Sequence, residues 1–245
     1  AGAMTPILYA FRERERIQSL FESVTGARMM HNFIRVGGVH QDLPDDFEAR
    51  MATLMDQLKR GVEECDDLLS NNEMFLARTK GIGTISGPDA IAFGVTGPAL
   101  RASGVLEDVR ISEPYGIYDR FDYGIPVGSQ GDCWDRYYVR VEEMRQSLSI
   151  IDQAVNQMEA GEIQANVRRI ARPPKGEVYI RTESPRGDFG VFLVSDGTDK
   201  PYRVKVRAPS FCNLQSLQHM LREAYIADAV VILGSIDIVL GEVDR

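Results

Sequence analysis

Cysteine is scarce in this chain, and the few that occur are far apart. Only Cys65, Cys133 and Cys212 are present among 245 residues, and no CxxC pair or Cys/His ligand spacing occurs. An odd and sparse count argues against a disulfide framework and indicates a reducing compartment. It also argues against an iron–sulfur cluster bound by this chain alone, because such clusters are usually held by a full set of cysteine thiolates.

Familiar catalytic signatures are missing as well. The sequence contains no P-loop, no GxGxxG, no GxSxG and no HExxH. The segment Gly81-Ile-Gly-Thr84 has a Gly-x-Gly step, but no strand–turn–helix pattern surrounds it. We therefore expect no nucleotide-binding loop there.

Long apolar runs and an apolar leader are also lacking. The first six residues are neither basic nor followed by an apolar core, so no signal peptide is expected. The longest apolar stretch, residues 224–240, is interrupted by Asp228 and Asp237, which a membrane span tolerates poorly. We expect a soluble protein that associates with a membrane through a partner.

The composition is that of an ordinary globular protein. Hydrophobic residues make up 44% and charged residues 26% of the chain, which is enough for a core of useful size. The net charge of −8 argues against electrostatic binding of nucleic acid by the whole molecule.

Apolar periodicity predicts three long helices. Thr5 is predicted to cap the first, with Pro6 in its first turn and Gly26 at its end. The second is expected from Phe47 to about Ser70, with Cys65 as a packed core thiol, and the third over residues 132–158. The Arg/Glu run from Arg12 to Arg16 is typical of a solvated face.

The pattern then changes to the period of a strand. Residues 178–183, 189–194 and 202–207 predict a small antiparallel sheet, and a short helix follows near residues 214–225. The run 229–233 is strand-like, and the tail after it mixes apolar and charged residues as if it were anchored. We predict a helical core over residues 1–158, a connector over 159–176, and a sheet, short helix and buried tail over 177–245, all in one structural unit.

A series of different short motifs occurs in a specific order along the whole chain. They are Gly2-Ala-Met-Thr-Pro6, Phe11-Arg-Glu-Arg-Glu15, Gly26-Ala-Arg-Met-Met-His31, Ile34-Arg-Val-Gly-Gly-Val-His-Gln-Asp-Leu-Pro44, Pro126-Val-Gly-Ser-Gln-Gly-Asp132, Asp135-Arg-Tyr137, Arg140-Val-Glu-Glu-Met-Arg145, Glu183-Ser-Pro-Arg-Gly-Asp-Phe-Gly190, Lys205-Val-Arg-Ala-Pro-Ser-Phe211 and the tail Gly234–Arg245. Together they resemble the 49-kDa-type (D or H) quinone-site subunit of respiratory complex I, which is related to the large subunit of [NiFe] hydrogenases.

This resemblance implies a fold, a set of partners and a location. The fold would be α+β and mainly helical, like the hydrogenase large subunit, with a small antiparallel sheet near the C-terminus. The chain would bind no cofactor itself and would pack against a small iron–sulfur subunit that carries a 4Fe–4S cluster, together with other peripheral-arm and membrane-arm subunits. Quinone would enter a cavity between the two subunits of a proton-translocating NADH or ferredoxin:quinone oxidoreductase, on the cytoplasmic, matrix or stromal side of an energy-transducing membrane.

The resemblance also implies site residues near the N-terminus. Ile7 and Phe11 match positions that line the cavity, with plain helix packing as an equal alternative for each. Met30 stands where many relatives have a histidine beside the cluster, and His31 is displaced by one residue, which on a helix rotates a side chain by about 100°. A hydrogen-bonded structural histidine is the alternative for His31. Arg35 matches a basic residue beside the quinone route.

Near the C-terminus, the resemblance points to the sheet turn and the tail. Arg186 matches a basic residue that reaches toward the cavity, although a solvent-exposed turn arginine is an equal alternative. Asp237 and Val239 match positions near the quinone pocket, and Arg245 is expected to lock the tail. In the hydrogenase register, Val239 and Glu242 occupy the positions of two nickel-binding cysteines, and valine cannot coordinate a metal.

Two other interpretations stay open. A membrane-bound hydrogenase-type subunit would need cysteine pairs, which the tail lacks. The second interpretation is a cofactor-free scaffold protein derived from this subunit. The family's quinone-headgroup ligands lie upstream of residue 1, so the sequence resembles the C-terminal part of a longer subunit with no complete active site of its own.

Overall fold

Helices dominate the computed structural model, which describes residues 4–167 and 172–244. The α-helices are α1 (Thr5–Thr25), α2 (Phe47–Leu69), α3 (Glu73–Thr79), α4 (Gly87–Ala92), α5 (Pro98–Ala102), α6 (Val109–Ser112), α7 (Cys133–Asn156), α8 (Pro209–Gln215), α9 (Leu217–Met220), α10 (Asp228–Ile236) and α11 (Leu240–Asp244), with a 3-10 helix at Tyr118–Arg120. The strands are β1 (Ile34–Arg35), β2 (Gly38–Val39), β3 (Gly176–Ser184), β4 (Gly187–Ser195) and β5 (Arg203–Arg207). The prediction of a mainly helical α+β fold is confirmed.

The chain divides into two units. Among the described residues, the N-terminal unit comprises residues 4–71 and 147–167, and the C-terminal unit comprises residues 72–146 and 172–244. Helix α7 contributes its first part to the C-terminal unit and its last part to the N-terminal unit.

Helix α1 begins and ends close to the predicted positions. Pro6 lies in its first turn, and Gly26 ends it in the left-handed conformation with φ of 76°. The predicted cap at Thr5 is wrong: Met4 is the capping residue, Thr5 is already helical, and no side chain caps this end.

Helix α1 packs against α2 in the N-terminal unit. The predicted solvated face of α1 is wrong at Glu13, which is buried and pairs with Arg12 and Arg16 at 2.7 Å each. Gly61 of α2 makes room for this carboxylate, because a Cβ there would come within 2.7 Å of Glu13 Cγ. The expected core thiol Cys65 is only partly buried on α2.

A short hairpin follows α1. Strands β1 and β2 pair Ile34 with Val39 and Arg35 with Gly38. Gly38 also forms a bridge with Gln164, and the Val39 N–H donates to the Ile163 carbonyl at 3.0 Å. Part of the predicted connector is therefore paired with this hairpin.

The C-terminal unit contains a hydrophobic core. Its buried members come from the segment 85–100, from α7, and from the last helices: Ile85, Ala90, Val95, Ala99, Leu100, Cys133, Met220, Ile232 and Ile236. The strand predicted for residues 229–233 is wrong, because these residues lie inside α10. A short apolar run does not distinguish a buried strand from a buried helix.

The predicted antiparallel sheet is confirmed, with strand order β3-β4-β5. Strands β3 and β4 pair as far as Ser184 and Gly187, so Pro185 and Arg186 form a two-residue turn. This turn approaches the backbone of Gly97 and Thr96 closely. The predicted third long helix is α7, which begins at Cys133. Asp132, the residue before it, accepts a hydrogen bond from the Asp135 N–H at 2.8 Å and so caps the helix.

Gly97 should not tolerate a side chain. Its φ is +68°, and a Cβ would lie 2.4 Å from the Gly187 Cα and 2.7 Å from the Arg186 carbonyl oxygen. We expect Gly97→Ala to lower the free energy of unfolding by about 3 kcal/mol, because backbone strain at φ of 68° and ψ of −147°, a region essentially restricted to glycine, adds to overpacking. The midpoint of urea unfolding measures this loss.

Gly81→Ala is the matched control. Gly81 has nearly the same φ of +69°, but the described structure places no heavy atom within 4 Å of its Cβ position. It should lose only about 1–2 kcal/mol from the backbone. Equal losses in the two variants would contradict the close approach at Gly97.

Candidate functional site

The tail changes direction at Asp237, between α10 and α11. Asp237 has φ of 60° and ψ of 51°, the left-handed conformation, and its N–H donates to the Gly234 carbonyl at 3.2 Å. Non-glycine residues adopt this conformation rarely, and aspartate is among those that tolerate it best. The turn carries the chain from the buried Ile236 to the partly exposed Val239.

Two arginines of α7 hold the end of α10. Arg140 donates to the carbonyl oxygens of Ser235 at 2.8 Å and Ile236 at 3.0 Å, and Arg136 Nε donates to the Ser235 hydroxyl at 2.9 Å. Arg136 and Arg140 are four residues apart and therefore lie on the same face of α7. This helix face fixes the last turn of α10.

Arg186 holds the tail from the sheet turn. Its Nε donates to the Asp237 carbonyl oxygen at 2.8 Å, and its guanidinium lies 3.6 Å from the Asp237 carboxylate. The Arg186 carbonyl accepts a hydrogen bond from Asn213 Nδ2 at 3.0 Å, which fixes the turn itself. The solvent-exposed alternative for Arg186 is therefore wrong, because the side chain is partly buried and contacts the tail.

Ser210, at the start of α8, anchors the segment after the turn. Its hydroxyl donates to the Glu242 carboxylate and accepts from the Val239 N–H at 3.3 Å. The Ser210 N–H donates to the same carboxylate at 3.3 Å. Val239 itself is 38% exposed, so its apolar side chain is not used by the core of this unit.

The positive charges behind the tail are strongly desolvated. Burial lowers the pKa of Arg140 to about 10, and the nearby Asp237 and Glu143 carboxylates counteract only part of this effect. Burial likewise lowers the pKa of Arg136. Every hydrogen bond that the described structure gives these two side chains goes to a neutral acceptor.

A second buried charge network lies beside the first. Arg101 is 2% exposed and contacts Glu143 at 2.7 Å, Glu183 at 3.0 Å and, more distantly, Asp108 at 3.8 Å. Burial raises the pKa of Glu183 although Arg101 opposes it. Asp108 also pairs with Arg110 at 2.6 Å. Glu143 follows Arg140 by three residues, so α7 takes part in both networks.

The remaining predicted site residues lie in the N-terminal unit. Ile7 and Phe11 are 49% and 54% exposed on α1, so their apolar side chains are not used by the core of this unit. Met30 is 90% exposed and has φ of 57°, and Arg35 Nε donates to the Asn32 carbonyl at 3.3 Å. His31 Nδ1 lies 3.1 Å from the Thr25 hydroxyl, and its ring lies 4.8 Å from that of Phe21.

The predicted site residues near the N-terminus belong to the N-terminal unit, and those of the sheet turn and tail belong to the C-terminal unit. Within the C-terminal unit Arg186 contacts Asp237, and Val239 follows Asp237 by two residues, whereas Arg245 lies outside the described residues. The sequence reasoning missed Arg136 and Arg140. Arg136, Arg140 and Glu143 are spaced so that they share one face of a helix, and this spacing could have indicated a buried charged cluster. Such a pattern more often marks a helix face in solvent.

No metal site and no membrane span were found in residues 4–167 and 172–244. No group of three or more His, Cys, Asp or Glu side chains there is arranged to hold a metal ion. Within the same residues, each helix is either too short or too polar to span a bilayer.

Asp108 should make the fold sensitive to acid. Burial by itself would raise the pKa of Asp108, but hydrogen bonds from Arg110 outweigh burial and lower it. Because the folded-state pKa lies below the unfolded value of about 3.9, the ionised carboxylate stabilises the fold above that value. This stabilisation is lost as the pH falls through the folded-state pKa.

We therefore expect Asp108→Asn to lower the free energy of unfolding most strongly near neutral pH. The difference in this free energy between variant and parent chain should shrink below about pH 4. Urea midpoints measured from neutral to acidic pH check this, with the exposed Asp119→Asn as the control for removing one negative charge. A loss that is the same at every pH would contradict an ionised Asp108 in the folded chain.

Comparison with known proteins places the chain in a family. The family described as "Respiratory-chain NADH dehydrogenase, 49 Kd subunit" matches residues 1–174 and 167–245. The D-type subunit of NADH-quinone oxidoreductase from Desulforamulus reducens is 49% identical over 99% of this chain and 66% of its own length. The proteins of the same name from Dehalococcoides mccartyi and Bacillus mycoides are 50% and 49% identical, over 100% and 99% of this chain and 67% of their own lengths.

The chain thus spans about two thirds of the length of the curated relatives it matches. The family match extends through both units, and the identity is far above what shared fold alone requires. This chain belongs to the family of the 49-kDa subunit of respiratory-chain NADH dehydrogenase.

Proposed function

We propose that this chain forms part of the wall of the quinone cavity in a proton-translocating NADH:quinone oxidoreductase, or in a ferredoxin-fed relative. The relatives are named as D-type subunits of NADH-quinone oxidoreductase, and this supports the assembly to which the chain would belong. Catalysis would belong to that assembly, with this chain as one peripheral subunit of its energy-transducing membrane complex, on the cytoplasmic side or its matrix or stromal equivalent.

The observation that carries the proposal is the arrangement of Arg186, Asp237 and Val239. A partly buried guanidinium contacts the tail at Asp237, and a partly exposed apolar side chain follows two residues later. A quinone ring needs an apolar wall, while its reduced oxygens need a cation or a proton donor. The sheet turn supplies the cation, and the tail supplies the apolar side chain.

The exposed apolar face of α1 supports the same function. Ile7 and Phe11 are four residues apart and therefore lie on one side of the helix, where both remain about half exposed. Apolar burial supplies most of the binding energy of a quinone ring and tail. These two side chains are proposed to line the route, and Arg35, Met30 and His31 are proposed to lie near it.

The proposed electron donor is a 4Fe–4S cluster on a small iron–sulfur partner subunit. Reduction of a quinone to a quinol takes up two electrons and two protons, so the electrons would come from that cluster and the protons from groups at the cavity. Arg186 would stabilise negative charge on the reduced quinone before protonation. Asp237, held beside Arg186, is the proposed proton carrier in this chain.

Substitution of Arg186 and Asp237 in the intact complex tests the proposal. Arg186→Ala removes the bond to the Asp237 carbonyl and the charge contact, whereas Asp237→Ala keeps that bond but removes the charge contact at 3.6 Å together with the proposed proton carrier. We expect each variant to lower quinone-dependent turnover by roughly tenfold or more, because Arg186→Ala loses the cation that stabilises the reduced quinone and Asp237→Ala loses the proton carrier.

Arg203→Ala is the matched control, because Arg203 lies on the exposed part of β5 in the same sheet. It should leave turnover unchanged, and electron transfer from the donor to an artificial acceptor should be unchanged in all three variants. Normal quinone turnover and normal inhibitor sensitivity in both Arg186→Ala and Asp237→Ala would refute the proposed function of the tail.

A further inference from the structure

Arg140 makes contacts that the proposed function does not yet use. Its guanidinium is buried, and its two terminal nitrogens donate to the carbonyl oxygens of Ser235 and Ile236, with a further bond to the Arg136 carbonyl at 2.6 Å. Its Nε is buried without a hydrogen-bond partner among the described residues. The hydrogen bonds that orient this side chain therefore go to carbonyl oxygens of the tail and of its own helix.

The two tail carbonyls lie where a helix needs an external partner. Ser235 and Ile236 are in the last turn of α10, and the last four carbonyls of a helix have no N–H from their own helix. A cation is favourable at this end of a helix because the carbonyl dipoles point toward it. Arg140 acts as the cap of α10 from a neighbouring helix.

The next residue is the one held in the left-handed conformation. Asp237 has φ of 60°, and strained backbone of this kind persists only when the surroundings restrain it. Arg140 restrains the carbonyls before the turn, and Arg186 restrains the carbonyl and carboxylate of Asp237 itself. Arg140 thus holds the chain before the turn and Arg186 holds it at Asp237, while Ser210 anchors the segment that follows.

We propose that Arg140 is the positioning residue of the tail, holding the left-handed turn at Asp237 so that the Asp237 carboxylate faces Arg186 and Val239 keeps its place. Its link to quinone reduction rests on the function proposed above. Arg140 touches none of the reacting atoms in this proposal and acts through the tail alone.

The planar guanidinium is essential to this role. Two nitrogens of one rigid fork reach two successive carbonyls, whereas a lysine ammonium is a single point charge on a flexible stem. Arg140→Lys keeps the charge and loses the fork, while Arg140→Met loses both at similar length. The pair of variants therefore separates geometry from charge.

Hydrogen exchange of the tail in the intact complex tests the positioning role directly. We expect the amides of residues 237–244 to exchange roughly tenfold faster or more in Arg140→Met, as loss of a charge-assisted hydrogen bond predicts, and by a smaller factor in Arg140→Lys. Arg145→Met is the control, since Arg145 lies on the same helix and pairs with Glu142 at 2.7 Å. It should leave tail exchange unchanged.

Quinone titration of the same complexes supplies the second measurement. A displaced tail should raise the KM for a short-chain quinone in Arg140→Met, with partial recovery in Arg140→Lys and no change in Arg145→Met. Unchanged tail exchange in both Arg140 variants would overturn the positioning role. Faster exchange with unchanged quinone kinetics would support the positioning role and overturn the proposed function of the tail, so the two failures are distinguishable.

Discussion

Guanidinium groups that hydrogen-bond to neutral oxygens hold the C-terminal tail in place. Arg136 of α7 is buried and Arg140 is partly buried, and burial lowers the pKa of both. Removing a cation from water costs several kcal/mol, and it is offset here by hydrogen bonds to carbonyl and hydroxyl oxygens, each contributing about 1.5–3 kcal/mol. The tail position therefore depends on the register of one helix, since a shift of α7 by one residue would rotate both side chains away.

The same helix face joins the tail to the sheet turn by a second route. Glu143 follows Arg140 on α7 and pairs with Arg101, which in turn holds Glu183 at 3.0 Å. Glu183 precedes Arg186 by three residues on the β3–β4 hairpin, and Arg186 contacts the tail at Asp237. The contacts thus close a circuit from tail to α7 to hairpin and back to the tail, so the positions of hairpin and tail constrain each other.

Most of the fold can be predicted from the regular periodicity of apolar residues. The buried charged contacts cannot be predicted from the sequence in this way. Long apolar stripes locate α1, α2 and α7, and alternation locates the sheet, because these patterns reflect burial directly. Residues 229–233 are wrongly predicted as a strand, since a short apolar run lacks a distinguishing period. Arg140 is missed because an arginine on a helix usually lies in solvent. Only tertiary structure shows that its partners are the carbonyls of Ser235 and Ile236, almost a hundred residues away in sequence.

The register of the tail explains how the segment stays ordered without a metal ligand at Val239. In the resemblance to hydrogenases, Val239 and Glu242 stand at the positions of two metal-binding cysteines, whose shared metal would link the two positions. Here Ser210 makes that link, because its hydroxyl accepts from the Val239 N–H and donates to the Glu242 carboxylate. The positive charge near the turn comes from Arg140 and Arg186. Because hydrogen bonds to Ser210 leave the Val239 side chain unused, that side chain is free to form part of an apolar surface beside the cations.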